Sequence, residues 1–215
     1  MKRFLKKANR GLLMGAFALF LLVIYVVVDY SGFNDEKPKV KEAVEDYLDK
    51  FYEKLSDNDY KGICELVEDT WSDKTVASEV FGYFDDKKKL SLFLENYANE
   101  KHSEKYGNCL YEIDSMSVTK AGPNIAKVNF IYKATVEYGS SGSYLSPFEP
   151  YNSVWYNEEE NDAVYEYEIT YEVKAYLVKE DGTWKLTQCN SWQADSMYHE
   201  KEGEEIWQLL LKLNM

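Results

Sequence analysis

AVYEYEITYEVKAYLVKEDGTWKLTQ, residues 163–188, is the stretch from which the fold is read. Ala163, Tyr165, Tyr167, Ile169, Tyr171, Val173, Ala175 and Leu177 fall on one side of a period-two alternation. Glu166, Glu168, Glu172 and Lys174 fall on the other. Such alternation marks a strand with one face in a core and one in water. Glu180-Asp181-Gly182-Thr183 carries hairpin-turn residues, and a last strand follows with Trp184 and Leu186 on one face. Upstream, residues 125–138 (IAKVNFIYKATVEY) repeat the pattern, with Ala126, Val128, Phe130, Tyr132, Ala134, Val136 and Tyr138 sharing the inward side. Residues 110–119 predict another strand with imperfect alternation. A fourteen-residue strand reaches roughly 46 Å. Strands of that length twist and curve, and an apolar sheet face needs cover.

Helices ahead of the strands supply the cover. Val40, Val44, Tyr47, Leu48, Phe51 and Leu55 recur at helical spacing. Asp57-Asn58-Asp59 makes a turn able to cap a second helix, which places Tyr60, Ile63, Cys64, Val67 and Trp71 on one face. Val76, Val80, Phe81 and Phe84 predict a short third helix. Leu90, Phe93, Leu94 and Tyr97 predict the buried side of a fourth. The expected domain spans residues 39–192 and is α+β, with helices packed on a curved antiparallel sheet.

The N-terminus reads differently. Lys2, Arg3, Lys6, Lys7 and Arg10 precede GLLMGAFALFLLVIYVVV, residues 11–28, which holds no charge and no polar stripe. The spacing predicts a cytoplasmic basic tail over 1–10 and an uncleaved transmembrane helix over 11–30. Val26 to Tyr30 make a poor signal-peptidase site. Residues 31–38 (SGFNDEKP) read as a polar linker. The cation bias places the domain outside the cytoplasmic membrane. Residues 193–215 form a C-terminal extension ending in GEEIWQLLLKLNM, a short amphipathic helix that docks on the domain, a partner or the membrane surface.

The chain has a formal charge of −13, and the N-terminal cations make the remainder more acidic still. Nucleic acid is excluded as a partner, because its binding rests on neutralising phosphates. The expected partners are the membrane, through residues 11–30, and an envelope protein or a second copy. His102 and His199 share no motif, and no CxxC, Walker loop, GxSxG or HExxH occurs. No metal or cofactor is expected. Of the three cysteines, Cys64 reads as a buried inert thiol on a helix, and a Cys109–Cys189 bridge is an alternative to free thiols. Residues 139–162 (GSSGSYLSPFEPYNSVWYNEEEND) form a long connection between the two best strands. Tyr144, Phe148, Tyr151, Trp155 and Tyr156 are its partner-binding candidates, against the alternative of an aromatic flap closing the core.

Helical hairpin, further helix, then long curved strands is an order that resembles the NTF2-like superfamily. The matching parts are Lys50–Val67 (KFYEKLSDNDYKGICELV) and Tyr171–Gln188 (YEVKAYLVKEDGTWKLTQ). The resemblance covers residues 39–192 and implies a cone-shaped α+β fold, a scaffold used for enzymes, ligand binders and assembly modules alike. It implies, for an isomerase, an acidic base and an oxyanion donor inside the cone. The inward phenols Tyr132, Tyr138, Tyr165, Tyr167 and Tyr171 are candidate pocket residues and donors. Glu112 and Asp114 on the first strand are the candidate bases. Neither long strand offers Asp, Glu or His inward. The expected function is therefore a non-catalytic, membrane-anchored, extracytoplasmic binding or assembly module of the cell envelope. The alternatives are a small-molecule-binding or isomerase-like cone, and a structural dimerisation module.

Overall fold

The structure is a computed structural model that describes residues 10–76, 87–99, 106–138, 143–148, 152–153 and 165–200. The chain divides into two compact units, Met1–Lys39 and Val40–Met215. Helix α1 runs Arg10–Ser56 with Pro38 inside it, so residues 31–38 are helical rather than the expected linker. Their composition suggests a loop, but Phe33 is buried and Glu36 pairs with Lys39 one turn on, at 2.9 Å. From Met14 to Ile24 every side chain is exposed. Among the described residues no helix is long and apolar enough to cross a membrane. The side chains of 11–13 and 25–29, part of the expected span, lie outside the described residues.

In the larger unit, α1 buries the predicted stripe of Val40, Val44, Tyr47, Leu48, Phe51 and Leu55, with Tyr52 beside it. The turn after α1 has Asn58 at φ 58°, a left-handed conformation that Asn tolerates. Asp59 caps helix α2 (Tyr60–Thr70) by accepting from Gly62 N at 2.9 Å. A Cβ at Gly62 would run into the Asp59 carboxylate, so in this rotamer the cap packs directly against glycine. Asn58 also clamps the first strand: its Oδ1 accepts from Tyr106 N at 2.8 Å and its Nδ2 donates to Tyr106 O at 2.9 Å. Helix α3 (Lys87–Asn99) buries Leu90 and Leu94. Most of the helix expected around Val76–Phe84 lies outside the described residues, as does the C-terminal helix.

Strands β1 (Tyr106–Gly122), β2 (Ile125–Tyr138), β5 (Tyr165–Glu180) and β6 (Thr183–Glu200) form one antiparallel sheet of order β1-β2-β5-β6. The two-residue strands β3 (Ser143–Tyr144) and β4 (Asn152–Ser153) pair separately. The expected hairpin turn is present, with Asp181 at φ 48° and Gly182 at φ 88°. Two consecutive left-handed residues match the right-handed twist of the strands they join. β2 and β5 pair without interruption from Ile125↔Val178 to Tyr138↔Tyr165, which puts their apolar sides on one face. Trp71 and Ser72 add to β6 through a parallel bridge to Leu186, with Ser72 N donating to Leu186 O at 2.6 Å. This is the α+β layout expected of an NTF2-like cone.

All three cysteines are free. A Cys109–Cys189 bridge is ruled out by the strand order: β1 and β6 are opposite edges, about 14 Å apart at the usual strand spacing, beyond disulfide reach. Cys64 is half-buried. Its pKa is raised, first by burial and then by Glu95, which keeps it in the less nucleophilic thiol form.

Candidate active site

The inner face of the sheet and the helical stripe meet in a cluster of aromatic rings. Tyr132 stacks on Tyr171 with centroids 5.0 Å apart, and Tyr52 meets Tyr132 edge-on at 6.5 Å. The Tyr52 and Tyr132 hydroxyls are 3.5 Å apart. Tyr47 packs against Phe51, Trp71 and Phe148. Burying so many phenols is tolerable only where each hydroxyl finds a partner, and the chain connecting β2 to β5 provides two. Tyr47 donates to the Pro147 carbonyl at 2.8 Å. Tyr106 accepts from Leu145 N at 2.6 Å. Between these anchors Leu145, Ser146, Pro147 and Phe148 are buried, and Phe148 also contacts Phe130 and Tyr132. Residues 145–148 thus plug the cone.

Strand β6 brings polar groups to the same interior. Its register puts Cys189 opposite Ala175 and Ser191 opposite Val173, on the inward side. Cys189 Sγ lies 3.8 Å from the Phe148 carbonyl oxygen. Among the described residues Ser191 Oγ is buried without a hydrogen-bond partner, and Trp71 Nε1 without a fully formed one. The Trp71 indole is directed at the Tyr47 oxygen as a weak hydrogen-bond donor, which lowers the Tyr47 pKa, short of a fully formed bond. The Tyr47 pKa stands well above the usual phenol value, chiefly through burial and then through Cys189. Tyr47 is thus a neutral hydroxyl donor throughout the physiological range. Buried donors without a protein partner are costly, and an ordered water or an acceptor on a ligand satisfies them.

The predicted site residues divide. Tyr132, Tyr167 and Tyr171 are buried, the first and last within the ring cluster. Tyr138 and Tyr165 pair with each other at the ends of β2 and β5; their side chains lie outside the described residues. Glu112 and Asp114 are exposed. Glu112 pairs with the outward Lys133, and Asp114 sits at a register irregularity between Ile113 and Ser115, so neither enters the cone. Phe148, expected to meet a partner, is buried in the plug. Tyr144 belongs to β3, its side chain undescribed, and Tyr151, Trp155 and Tyr156 lie outside the described residues. The sequence pattern does not single out Tyr47, Trp71, Cys189 and Ser191 as polar groups of the interior. Among the described residues no cluster of His, Cys, Asp and Glu is placed to hold a metal.

No protein-family model matches the chain, and no curated protein matches it in sequence. Solved structures resemble it in fold. A type 2 hexachlorocyclohexane dehydrochlorinase is 13% identical, with TM-score 0.44, over 79% of this chain and 94% of that one. A ketosteroid isomerase-like protein of Erwinia carotovora atroseptica SCRI1043 is 14% identical, with TM-score 0.43, over 75% and 98%. An NTF2-like protein of Pseudomonas putida KT2440 is 13% identical, with TM-score 0.36, over 69% and 82%. These likenesses concern the layout of helices and sheet. They correct the expectation of a non-catalytic assembly module, since proteins with enzyme names share that layout.

Proposed function

We propose that the cone is a small-molecule site of the isomerase-like kind, which takes a flat apolar ligand bearing a carbonyl oxygen. The observation that carries this reading is the set of buried donors beneath the plug: Tyr47 donating to a loop carbonyl, Trp71 Nε1 directed at the Tyr47 oxygen without a fully formed bond, and Ser191 Oγ with no partner among the described residues. Aromatic walls with a few convergent polar groups are the usual make-up of a small-molecule pocket. Donors held in a water-free site stabilise the charge that develops on a carbonyl oxygen when a proton leaves the adjacent carbon. In the plugged state the Pro147 carbonyl stands where such an acceptor would sit, so ligand entry requires residues 145–148 to withdraw.

Calorimetric titration of the full chain with a panel of flat cyclic enones tests this. The reading predicts saturable binding that Ser191→Ala weakens about fivefold, the worth of one hydrogen bond near 1 kcal/mol, since the plug makes no use of that hydroxyl. Absence of binding across the panel, or binding indifferent to Ser191→Ala, contradicts it.

The same proposal places residues 11–30 in a membrane with the larger unit outside the cytoplasm. Its support is the helix from Met14 to Ile24, where Phe17, Leu19, Phe20 and Leu22 are exposed around the whole circumference. A helix apolar on all sides suits lipid rather than water. After alkaline carbonate washing of membranes the full chain should stay in the pellet; recovery in the wash would contradict the anchor.

A further inference from the structure

The face of the sheet opposite the cone carries a recess of its own. A groove of about 400 Å³ lies over the strands, lined in part by Ser115, Ser117, Asn129, Ile131, Glu172 and Trp192. Its floor follows from register. Ser115 pairs with Ile131, Ile131 with Glu172, and Glu172 with Trp192. These four side chains therefore form one row across the sheet, on the side away from Tyr132 and Tyr171. Three strand spacings make the row about 14 Å long. The volume falls within the range of small-ligand sites, roughly 300–1,000 Å³.

The chemistry of the row narrows the ligand. Trp192 ends it with 45% of its surface exposed, and with Ile131 it offers a flat apolar platform. Among the described residues the side chains of Glu172, Asn129 and Ser115 make no hydrogen bond or ion pair, which leaves a carboxylate, an amide and a hydroxyl ready along the edge. Among the described residues the lining holds a carboxylate and no cation, the nearest being Lys174 opposite Asn129 at its border, which favours a neutral ligand over an anionic one. A two-fold axis through the middle of the row would set each Glu172 carboxylate on the other copy's Ile131, removing a charge from water without a partner, which disfavours that one arrangement of a second copy. A molecule flat and apolar on its ring face and rich in hydroxyls at its rim matches all three features.

We propose that this outer groove binds a short neutral saccharide, about two to three pyranose rings in length, stacked on Trp192 and held at its rim by Glu172 and Asn129. The ring's C–H face meets the indole, and its hydroxyls donate to Glu172 and exchange hydrogen bonds with the Asn129 amide. The site is separate from the cone and stands or falls independently of it.

The test is titration of the full chain with cellotriose, maltotriose and chitotriose, followed by calorimetry and tryptophan fluorescence. At least one should saturate at millimolar concentration or below. Trp192→Ala should weaken it about tenfold or more, Trp192→Phe should retain most of the affinity, and Glu172→Gln should weaken it severalfold. Tyr47→Phe should leave it unchanged. No saturation by any of the three at about 10 mM, or affinity that survives both Trp192→Ala and Glu172→Gln, overturns the proposal. Self-association of the chain that Trp192→Ala abolishes also overturns it and assigns the row to a second copy.

Discussion

Two walls of the same cone are built differently. β2 and β5 line it with Ala126, Val128, Phe130, Tyr132, Ala134 and Val136, and with Tyr167, Ile169, Tyr171, Val173 and Ala175, all buried. β6 lines it with Cys189 and Ser191. The first wall pairs without interruption, whereas β6 meets β5 with irregularities at Tyr176/Leu177 and Thr170/Tyr171. Extra residues of this kind re-aim side chains at the edges of sheets and beside functional sites. The difference teaches a division of roles: the central strands hold the fold, and the edge strand supplies the polar groups that a ligand would meet.

Substitutions should separate the two walls. The largest effect belongs to the central one. Tyr132→Ala or Tyr171→Ala, each removing a stacked and fully buried ring, should cost about 3–5 kcal/mol in denaturant unfolding. A loss under about 1 kcal/mol would mean that these rings line open space rather than a packed wall. Tyr47→Phe should cost about 1–2 kcal/mol, because it strands the Pro147 carbonyl that the plug depends on. On the edge wall the sign should reverse. Ser191→Ala removes a buried hydroxyl that has no partner among the described residues, so stability should hold or rise by up to about 1 kcal/mol, measured in the same unfolding series.

The smallest effect is a pH dependence. The pKa of Tyr47 is raised mainly by burial, and that of Tyr111 by burial and then by its hydrogen bond to Asp49 at 2.6 Å. Folding thus favours the neutral phenols. Their contribution is fully present below the unfolded pKa of about 10 and is lost as pH rises above it. Alkaline unfolding monitored by tyrosinate absorbance should show a part of the phenols ionising only with the unfolding transition. Ionisation of every tyrosine near pH 10, ahead of unfolding, would show that none is protected.

What can be read from the sequence follows from where the signal is periodic. β2 and the start of β5 alternate cleanly, so the pattern alone identifies their inward residues, Tyr132 and Tyr171 among them. For β1 the alternation predicts residues 110–119, whereas the strand runs Tyr106–Gly122, because its register irregularities blur the pattern. For β6 it marks only the neighbourhood of Trp184 and Leu186, whereas the strand continues to Glu200. The later residues of β6 are mostly polar, and a polar inner face has no hydrophobic period to detect. The candidate site is half legible for the same reason. Tyr47 and Trp71 are visible as members of apolar stripes, but nothing local says that their donors point into one interior with Cys189 and Ser191. That meeting depends on the bridge between Trp71 and Leu186, a contact over more than a hundred residues. Glu112 and Asp114 look plausible as bases because an irregular strand does not reveal which side faces inward.

The plug and the ligand compete for one space. The most direct measurement compares enone affinity for the full chain and its Phe148→Ala variant by calorimetry at a temperature where both are folded. Freeing the space that the Phe148 ring fills should tighten binding about tenfold. Equal or weaker affinity in the variant would mean that residues 145–148 are a permanent part of the core and that the cone is not a ligand site.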